Sequence, residues 1–383
     1  MRATRAIIHI DRFCGNVKHI REKVGPAPLI CAPVKADAYG HGAVPIARAA
    51  IEAGASYLAV ATVEEGAELR SVGISAPILV LSLPLPEELA DAARLRLSLL
   101  LGDEDMVKEA ALAAEQAGEK LAVHLKIDTG MGRVGCRPEA ASALAARIAS
   151  FRSLMYAGTA THLSVADSRT PEDIRYTKKQ LSLFTQSIES IKAAGFDPGV
   201  VHAANSGAIL LHEDACFDMV RPGILLYGYS PVENPPIFVE PVMELITRIV
   251  LIKTMRVGEA VSYGRTWTVS EETRIATIPV GYGDGLPRGL SGNFSVRIQR
   301  RFYPLAGRVC MDQCMIDLGN DTDIQRWDEV TIFGGKAQSA ADIAAKLHTI
   351  PYEITCNINK RVPRVYTDLF HSTRSHGVKS NAL

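Results

Sequence analysis

Between about residue 28 and residue 230, short apolar runs alternate with turn residues and alanine-rich helical stretches, and no other feature limits the fold as tightly. The runs are Leu29–Val34, Tyr57–Val60, Ile78–Leu81 and Leu97–Leu101, then Leu121–Ile127, Tyr156–His162, Val200–Ala204 and Met219–Arg221. Intervals such as Glu87–Leu95 and Pro138–Ala149 carry helical periodicity. Eight such units over about 200 residues is the count of a (β/α)8 TIM barrel. An open doubly wound sheet is the alternative, but no G-x-G-x-x-G opens the first helix.

A proline-rich stretch, Pro231–Pro241, separates this pattern from one in which helices thin out. Strands are expected at Ile249–Met255, Val261–Tyr263, Ile275–Val280, Phe294–Ile298, Ala306–Ile316, Val330–Phe333 and Arg361–Tyr366, with one helix from Ser339 to Leu347. Ala6–Ile10 alternates and would join a sheet away from its neighbours. The expected division is a barrel over 1–235, with 1–11 pairing with the second domain, and a mainly-β domain over 236–383. The polar tail from His371 is expected to be disordered.

Lys plus Arg and Asp plus Glu balance at 42 each in 383 residues, so no net field invites nucleic acid or an anionic membrane. No apolar stretch approaches the ~20 residues that span a bilayer, and the start lacks a signal-peptide core. The seven cysteines are scattered without a C-x-x-C pair, and the ten histidines show no H-E-x-x-H, so no metal site is expected. Reducing cytoplasm is the expected home.

The most unusual string is A-P-V-K-A-D-A-Y-G-H-G, residues 32–42, which puts Lys35 at the end of the first strand, where a βα loop begins. A lysine taken into the interior loses hydration, which frees a neutral nucleophilic amine of the kind a Schiff-base lysine needs. A surface lysine is the plainer reading of the residue alone. Other unusual strings also follow strands, where a barrel builds its active site. In K-I-D-T-G-M-G-R-V-G, Lys126 to Gly135, glycines allow a sharp turn and Arg133 offers a fork for a carboxylate. T-H-L-S-V-A-D carries His162 and Asp167. H-A-A-N-S-G-A and V-R-P-G-I-L-L-Y-G follow the seventh and eighth strands, the usual phosphate loops of a barrel. There the Ser206 hydroxyl and the Gly223 and Ile224 amides suit a phosphate.

V-K-A-D-A-Y-G-H-G resembles the pyridoxal-phosphate lysine motif of alanine racemases, usually written V-K-A-N-A-Y-G-H-G. Later strings match that family in order, from about residue 5 to 370. The resemblance implies a cytoplasmic homodimer with shared active sites that interconverts L- and D-alanine and supplies D-alanine for peptidoglycan. It implies pyridoxal 5'-phosphate on Lys35, held by Tyr39, Asn205, Ser206, Arg221, Gly223, Ile224 and Tyr352. Arg133 and Met311 would meet the substrate carboxylate, and Lys126 is a candidate for carbamylation. Asp167, Tyr282, Arg288, Arg308 and Asp312 would line the access corridor. In V-S-Y-G-R-T-W, Tyr263 matches a second catalytic base that reaches Lys35 across the dimer, with His162 as its hydrogen-bond partner. Asp37 departs from the family's usual asparagine.

Arg221 bears on the reaction type. Enzymes that draw electrons fully into the pyridine ring place a carboxylate at its nitrogen, whereas an always-cationic arginine disfavours the pyridinium. A carbanion less delocalised into the ring is reprotonated at Cα, which fits racemisation and not transamination. Two alternatives remain open on the residues: a decarboxylase of the same architecture, which Cys310 would serve and Arg221 opposes, and a non-catalytic vitamin B6 carrier, which would leave the second domain unexplained.

Overall fold

The structure, a computed structural model, describes residues 2–367. They fall into two compact units, one Phe13–Glu240 and the other residues 2–12 with 241–367.

Strand β1 (Arg5–His9) belongs to the second unit. The first unit holds β2 (Leu29–Pro33), β3 (Tyr57–Val60), β4 (Ile78–Val80), β5 (Ser98–Leu101), β6 (Leu121–Lys126), β7 (Leu154–Ala160), β8 (Val200–His202) and β9 (Met219–Val220). These form one eight-stranded sheet in the order β8-β7-β6-β5-β4-β3-β2-β9, and every pairing is parallel. β9 pairs with β2, and the seam between β8 and β9 is carried by Asp218, whose amide donates to Val201 O (3.0 Å) and whose carboxylate accepts from Val201 N (2.8 Å). The sheet is thus a nearly closed (β/α)8 barrel. Its strands are mostly apolar because parallel strands are covered on both faces. Cys31, Ala59, Leu79, Leu100, Ala160 and Met219, from six different strands, pack as one layer inside it.

Three of the intervening helices start where the sequence supplies an oxygen cap. Thr62, Asp103 and Thr170 accept from the amides of Glu65, Met106 and Asp173. Each expected barrel strand exists, with ends shifted by a residue or two, which is where local pattern is least informative.

The second unit contains β10 (Met243–Arg248), β11 (Leu251–Met255), β12 (Ala260–Val261), β13 (Trp267–Thr268), β14 (Thr273–Ile278), β15 (Ser295–Ile298), β16 (Arg301–Pro304), β17 (Cys314–Asp317), β18 (Glu329–Phe333) and β19 (Arg364–Thr367). It is mainly β: a six-stranded sheet β16-β15-β18-β10-β1-β19, a three-stranded sheet β11-β14-β17 and the β12-β13 ribbon. β1 runs antiparallel to β10, with Arg5 opposite Ile246, and parallel to β19, with Ala6 opposite Arg364.

Several expected boundaries are corrected here. Val261–Tyr263 is not a continuous strand: β12 stops at Val261, and Ser262 and Gly264 take positive φ of 68° and 72°, which turns Tyr263 out of the ribbon. Of Ala306–Ile316 only the end is strand, β17. β10 and β16 were hidden from pattern reading, the first by the adjoining prolines and the second by its exposure. A second helix, Pro351–Cys356, follows the expected one. The tail from His371 lies outside the described residues.

Candidate active site

At the carboxyl end of β2 the backbone does something the sequence pattern did not foretell. Ala36, Asp37, Ala38 and Tyr39 all take positive φ, between 52° and 54°, making one left-handed turn directly after Lys35. Four such non-glycine residues in a row are costly, so the surroundings must hold them. The Asp37 carboxylate accepts from Ala43 N (2.8 Å), Glu65 accepts from Ala36 N (2.6 Å) and Ala61 N (2.7 Å), and Gly40 N donates to Ala36 O (3.0 Å). Asp37, the departure from the family string, is therefore a clamp on the turn. Lys35 itself is half-buried, less enclosed than an interior lysine.

The turn delivers Tyr39 to the barrel mouth, buried against Tyr227 with ring centroids 4.6 Å apart. A methyl group built on Gly223 would stand 3.2 Å from the Tyr39 hydroxyl and 3.7 Å from Ser206 Oγ, so these three expected phosphate contacts do converge. Ile224 opens the short helical turn that follows, and Leu225 N lies 3.5 Å from Ser206 Oγ. Asn205 acts structurally: its Oδ1 caps the Ser206–Leu211 helix through Ala208 N (3.0 Å) and its Nδ2 donates to Leu163 O (3.1 Å), which fixes Ser206.

Arg221, 7% exposed, is the most constrained side chain of the mouth. It donates to Thr161 O (2.8 Å), Ala203 O (3.0 Å), His162 Nδ1 (3.3 Å) and His202 Nδ1 (2.5 Å). An arginine can only donate, so both imidazoles accept at Nδ1 and carry their hydrogen at Nε2. The His202 Nε2 hydrogen is then donated to His124 Nδ1 at 3.0 Å. Burial holds His124 down to about 4 and His162 and His202 well below the usual histidine range, with the Arg221 charge adding to it. These rings are neutral at physiological pH. Burial lowers Arg221 to about 10, still cationic near neutrality. His124 fits only because β7 has glycine beside it: a Cβ at Gly158 would fall 2.3 Å from His124 Nδ1.

His162 is also depressed by Arg133, Lys126 and Lys35, so with Arg221 four cations from the ends of three strands act on one imidazole. Gln180, on the helix Pro171–Ala193, holds the His162 carbonyl at 3.2 Å. Lys126 is buried and donates to Ile127 O (3.0 Å); burial, reinforced by Arg221, lowers it to about 8. Asp128 accepts from Gly130 N and Gly132 N, both 3.0 Å, and so shapes the loop that carries the exposed Arg133. Asp167 is exposed, with its backbone packed on Gly207. Sequence reading missed His124, His202, Glu65 and Gln180. The signal available for the two histidines was their placement at inward positions of strands, beside the cationic residues already singled out.

In the second unit, Tyr263 is 72% exposed, Tyr282 43% and Met311 53%. Three loops carry them. Ser262 Oγ donates to Arg308 O (2.7 Å), and a Cβ at Gly264 would lie 3.0 Å from the Arg308 guanidinium carbon. Tyr282 N donates to Cys310 O (3.0 Å) and Gly283 N to Met311 O (2.9 Å). Asp312 accepts from Arg361 at 2.7 Å, and Arg288 is exposed at the start of a short helical turn. Tyr352 lies in the first turn of the Pro351–Cys356 helix. Among the described residues no group of histidine, cysteine and acidic side chains could hold a metal ion.

A (β/α)8 barrel whose mouth gathers cations and neutral imidazoles, joined in sequence to a mainly-β unit, has the architecture of a barrel enzyme with its site at the strand ends. Comparison with known proteins narrows the class. Residues 8–231 match the family model "Alanine racemase, N-terminal domain", and residues 242–366 match "Alanine racemase, C-terminal domain". The alanine racemase of Treponema denticola is 52% identical over 376 residues, covering 96% of this chain and 99% of its own length. That of Treponema pallidum is 42% identical over 378 residues, covering 96% of this chain and 100% of its own. Among solved structures, Clostridium difficile alanine racemase superposes with a TM-score of 0.91 at 35% identity, covering 96% of each chain. Bacillus anthracis alanine racemase with bound L-Ala-P gives 0.90 at 36% identity, covering 96% of this chain and 95% of that one. The chain belongs to the alanine racemase family and is an amino-acid racemase, an isomerase.

Proposed function

We propose that the chain interconverts L- and D-alanine with pyridoxal 5'-phosphate at the barrel mouth, as a homodimer in which Tyr263 of one subunit faces Lys35 of the other. The observation that carries the reading is Arg221: a buried guanidinium locked by two carbonyls and two neutral imidazoles, a group that cannot take a proton from a pyridine nitrogen. The residues fit the cofactor, since the Tyr39 hydroxyl, Ser206 Oγ and Gly223 form a cradle for its phosphate and Lys35 opens the adjoining turn. When bound, the cofactor supplies an electron sink for negative charge at the substrate Cα.

This chain's own groups do the rest. Lys35 would hold the cofactor and move the Cα proton on one face, and the Tyr263 phenol would do so on the other. His162, accepting from Arg221 at Nδ1, carries its hydrogen at Nε2 and could donate it to the phenol oxygen, stabilising the phenolate that base work requires. Arg133 and Met311 would hold the substrate carboxylate, with Asn205 and Ile224 supporting the phosphate loop and Tyr352 reaching it from the second domain. Asp167, Tyr282, Arg288, Arg308 and Asp312 would line the corridor and restrict it to small amino acids. Lys126, lowered to about 8, is partly neutral near pH 8, the form that adds carbon dioxide, and its carbamate would pair with Arg133.

The exposure of Tyr263, Tyr282 and Met311 supports a dimer, because large side chains in such a patch mark surfaces that a partner covers. Cytoplasmic residence and supply of D-alanine to peptidoglycan complete the reading. Among the described residues no helix is long and apolar enough to cross a membrane, and no two of the seven cysteines are joined by a disulfide. The test is a chiral assay of purified protein with L-alanine. D-alanine should form with added cofactor, and release of carbon dioxide instead would point to a decarboxylase.

A further inference from the structure

One acidic side chain of the second unit is wholly enclosed. Asp284 has no exposed surface, and its Oδ1 is shared by Arg2 Nη2 (2.6 Å) and Arg361 Nε (2.7 Å). Its Oδ2 accepts from Gly281 N at 3.0 Å, and its carbonyl accepts from Asn359 N at 3.0 Å. Both carboxylate oxygens are engaged.

The partners tie distant parts of the unit together. Arg2 Nη1 donates to Arg361 O (3.2 Å), so the segment before β1 bears on the segment before β19. Arg361 continues outward, donating through Nη2 to Asp312 (2.7 Å) and toward Met311 O (3.5 Å). The loop 281–285 meanwhile lies flat on the loop 310–312, held by the Tyr282 and Gly283 amides. Glycine is required at 281, because a Cβ there would fall 2.2 Å from the Cys310 carbonyl oxygen, and a Cβ at Gly283, 2.5 Å from Arg361 Nη2, would push that guanidinium aside. The result is two stacked loops that present the exposed Tyr282 and Met311 above an ion cluster in which Asp284 is buried, Arg2 is partly exposed, and Arg361 and Asp312 reach the surface.

We propose that Asp284, clamped between Arg2 and Arg361, is the positioning residue that fixes the loop pair presenting Tyr282 and Met311 to the amino-acid substrate; this rests on the substrate-facing roles given to those two side chains above. Asp284 itself touches no substrate. It acts through Arg361, which reaches both carboxylates and the Met311 backbone. A guanidinium suits this because its planar fork can serve several acceptors in fixed directions, which an ammonium cannot. A displaced platform would weaken recognition of the bound amino acid while leaving the proton-moving groups in place, so the effect belongs in KM.

The experiment compares the holoenzyme with its Asp284→Asn, Arg361→Lys and Arg2→Ala variants by racemisation kinetics and by hydrogen–deuterium exchange. In Asp284→Asn the KM for alanine should rise about ten-fold with kcat within about three-fold, and amide exchange should quicken in 281–285 and 309–313 but not in the barrel strands. Arg361→Lys should show a smaller rise in KM, and combining it with Asp284→Asn should add less than the product of the two effects. A folded Asp284→Asn protein with unchanged KM and unchanged loop exchange overturns the proposal, as does a fall in kcat at constant KM. Should Asp284→Asn not fold, Arg2→Ala and Arg361→Lys carry the same readouts, and wild-type behaviour in both overturns it. A wild-type protein that forms no D-alanine would defeat the proposed function instead, and the exchange comparison would still decide whether the cluster holds the loops.

Discussion

The barrel mouth and the loop platform of the second unit solve opposite problems. At the mouth the polar groups are buried and fix one another: Arg221 is bound on four sides and the imidazoles behind it are neutral by burial. On the platform the presented side chains are exposed, and the rigidity lies beneath them in backbone bonds and one ion cluster. The contrast teaches that a chemical role and a presenting role demand different surroundings. A group that sets charge needs low dielectric and full hydrogen bonding, whereas a group that meets a mobile partner needs only a firm base.

The largest expected effect tests the mouth. Lys35→Ala should abolish racemisation, by about ten-thousand-fold or more, and remove an absorption band near ~420 nm from the attached cofactor. Next comes the second unit: Tyr263→Phe should keep that band and cost about a hundred- to ten-thousand-fold in turnover. Full activity in that variant would leave the two regions chemically unrelated. A third test concerns burial alone. The unmodified Lys126 amine has a folded pKa of about 8 against the ordinary 10.5, so the unfolded chain binds more protons between these values and stability should rise with pH across that window. Below about pH 8 the cost is on the order of 3 kcal/mol. Lys126→Met should flatten the ramp in urea melts taken across that range. A ramp that persists would assign it to another group. The smallest effect is Asp37→Asn, which keeps an acceptor for Ala43 N and should change stability by less than about 0.5 kcal/mol.

Legibility in the sequence followed the range of the interactions. The barrel strands were readable because burial on both faces writes itself as local apolar runs. Lys35, Arg133, Ser206 and Arg221 were readable as unusual residues at the ends of those runs, and the family motif supplied the grouping that no local rule provides. Tyr263 was misplaced in a strand because positive φ at Ser262, a non-glycine, has no local signature. His124 and His202 were passed over for a different reason. A histidine on an apolar strand looks like core, and only the approach of β6, β8 and β9 reveals that the two rings and Arg221 form one chain of donors.

The amino-acid order by itself determined the alternation that makes a barrel, the break within Pro231–Pro241 and the residue types available at each strand end. Tertiary structure alone decided which of those residues meet. It set the left-handed turn after Lys35, the neutrality of three buried imidazoles and the clamp on Asp284. Each of these depends on desolvation and on partners remote in the chain, and such quantities exist only once the backbone has closed around them.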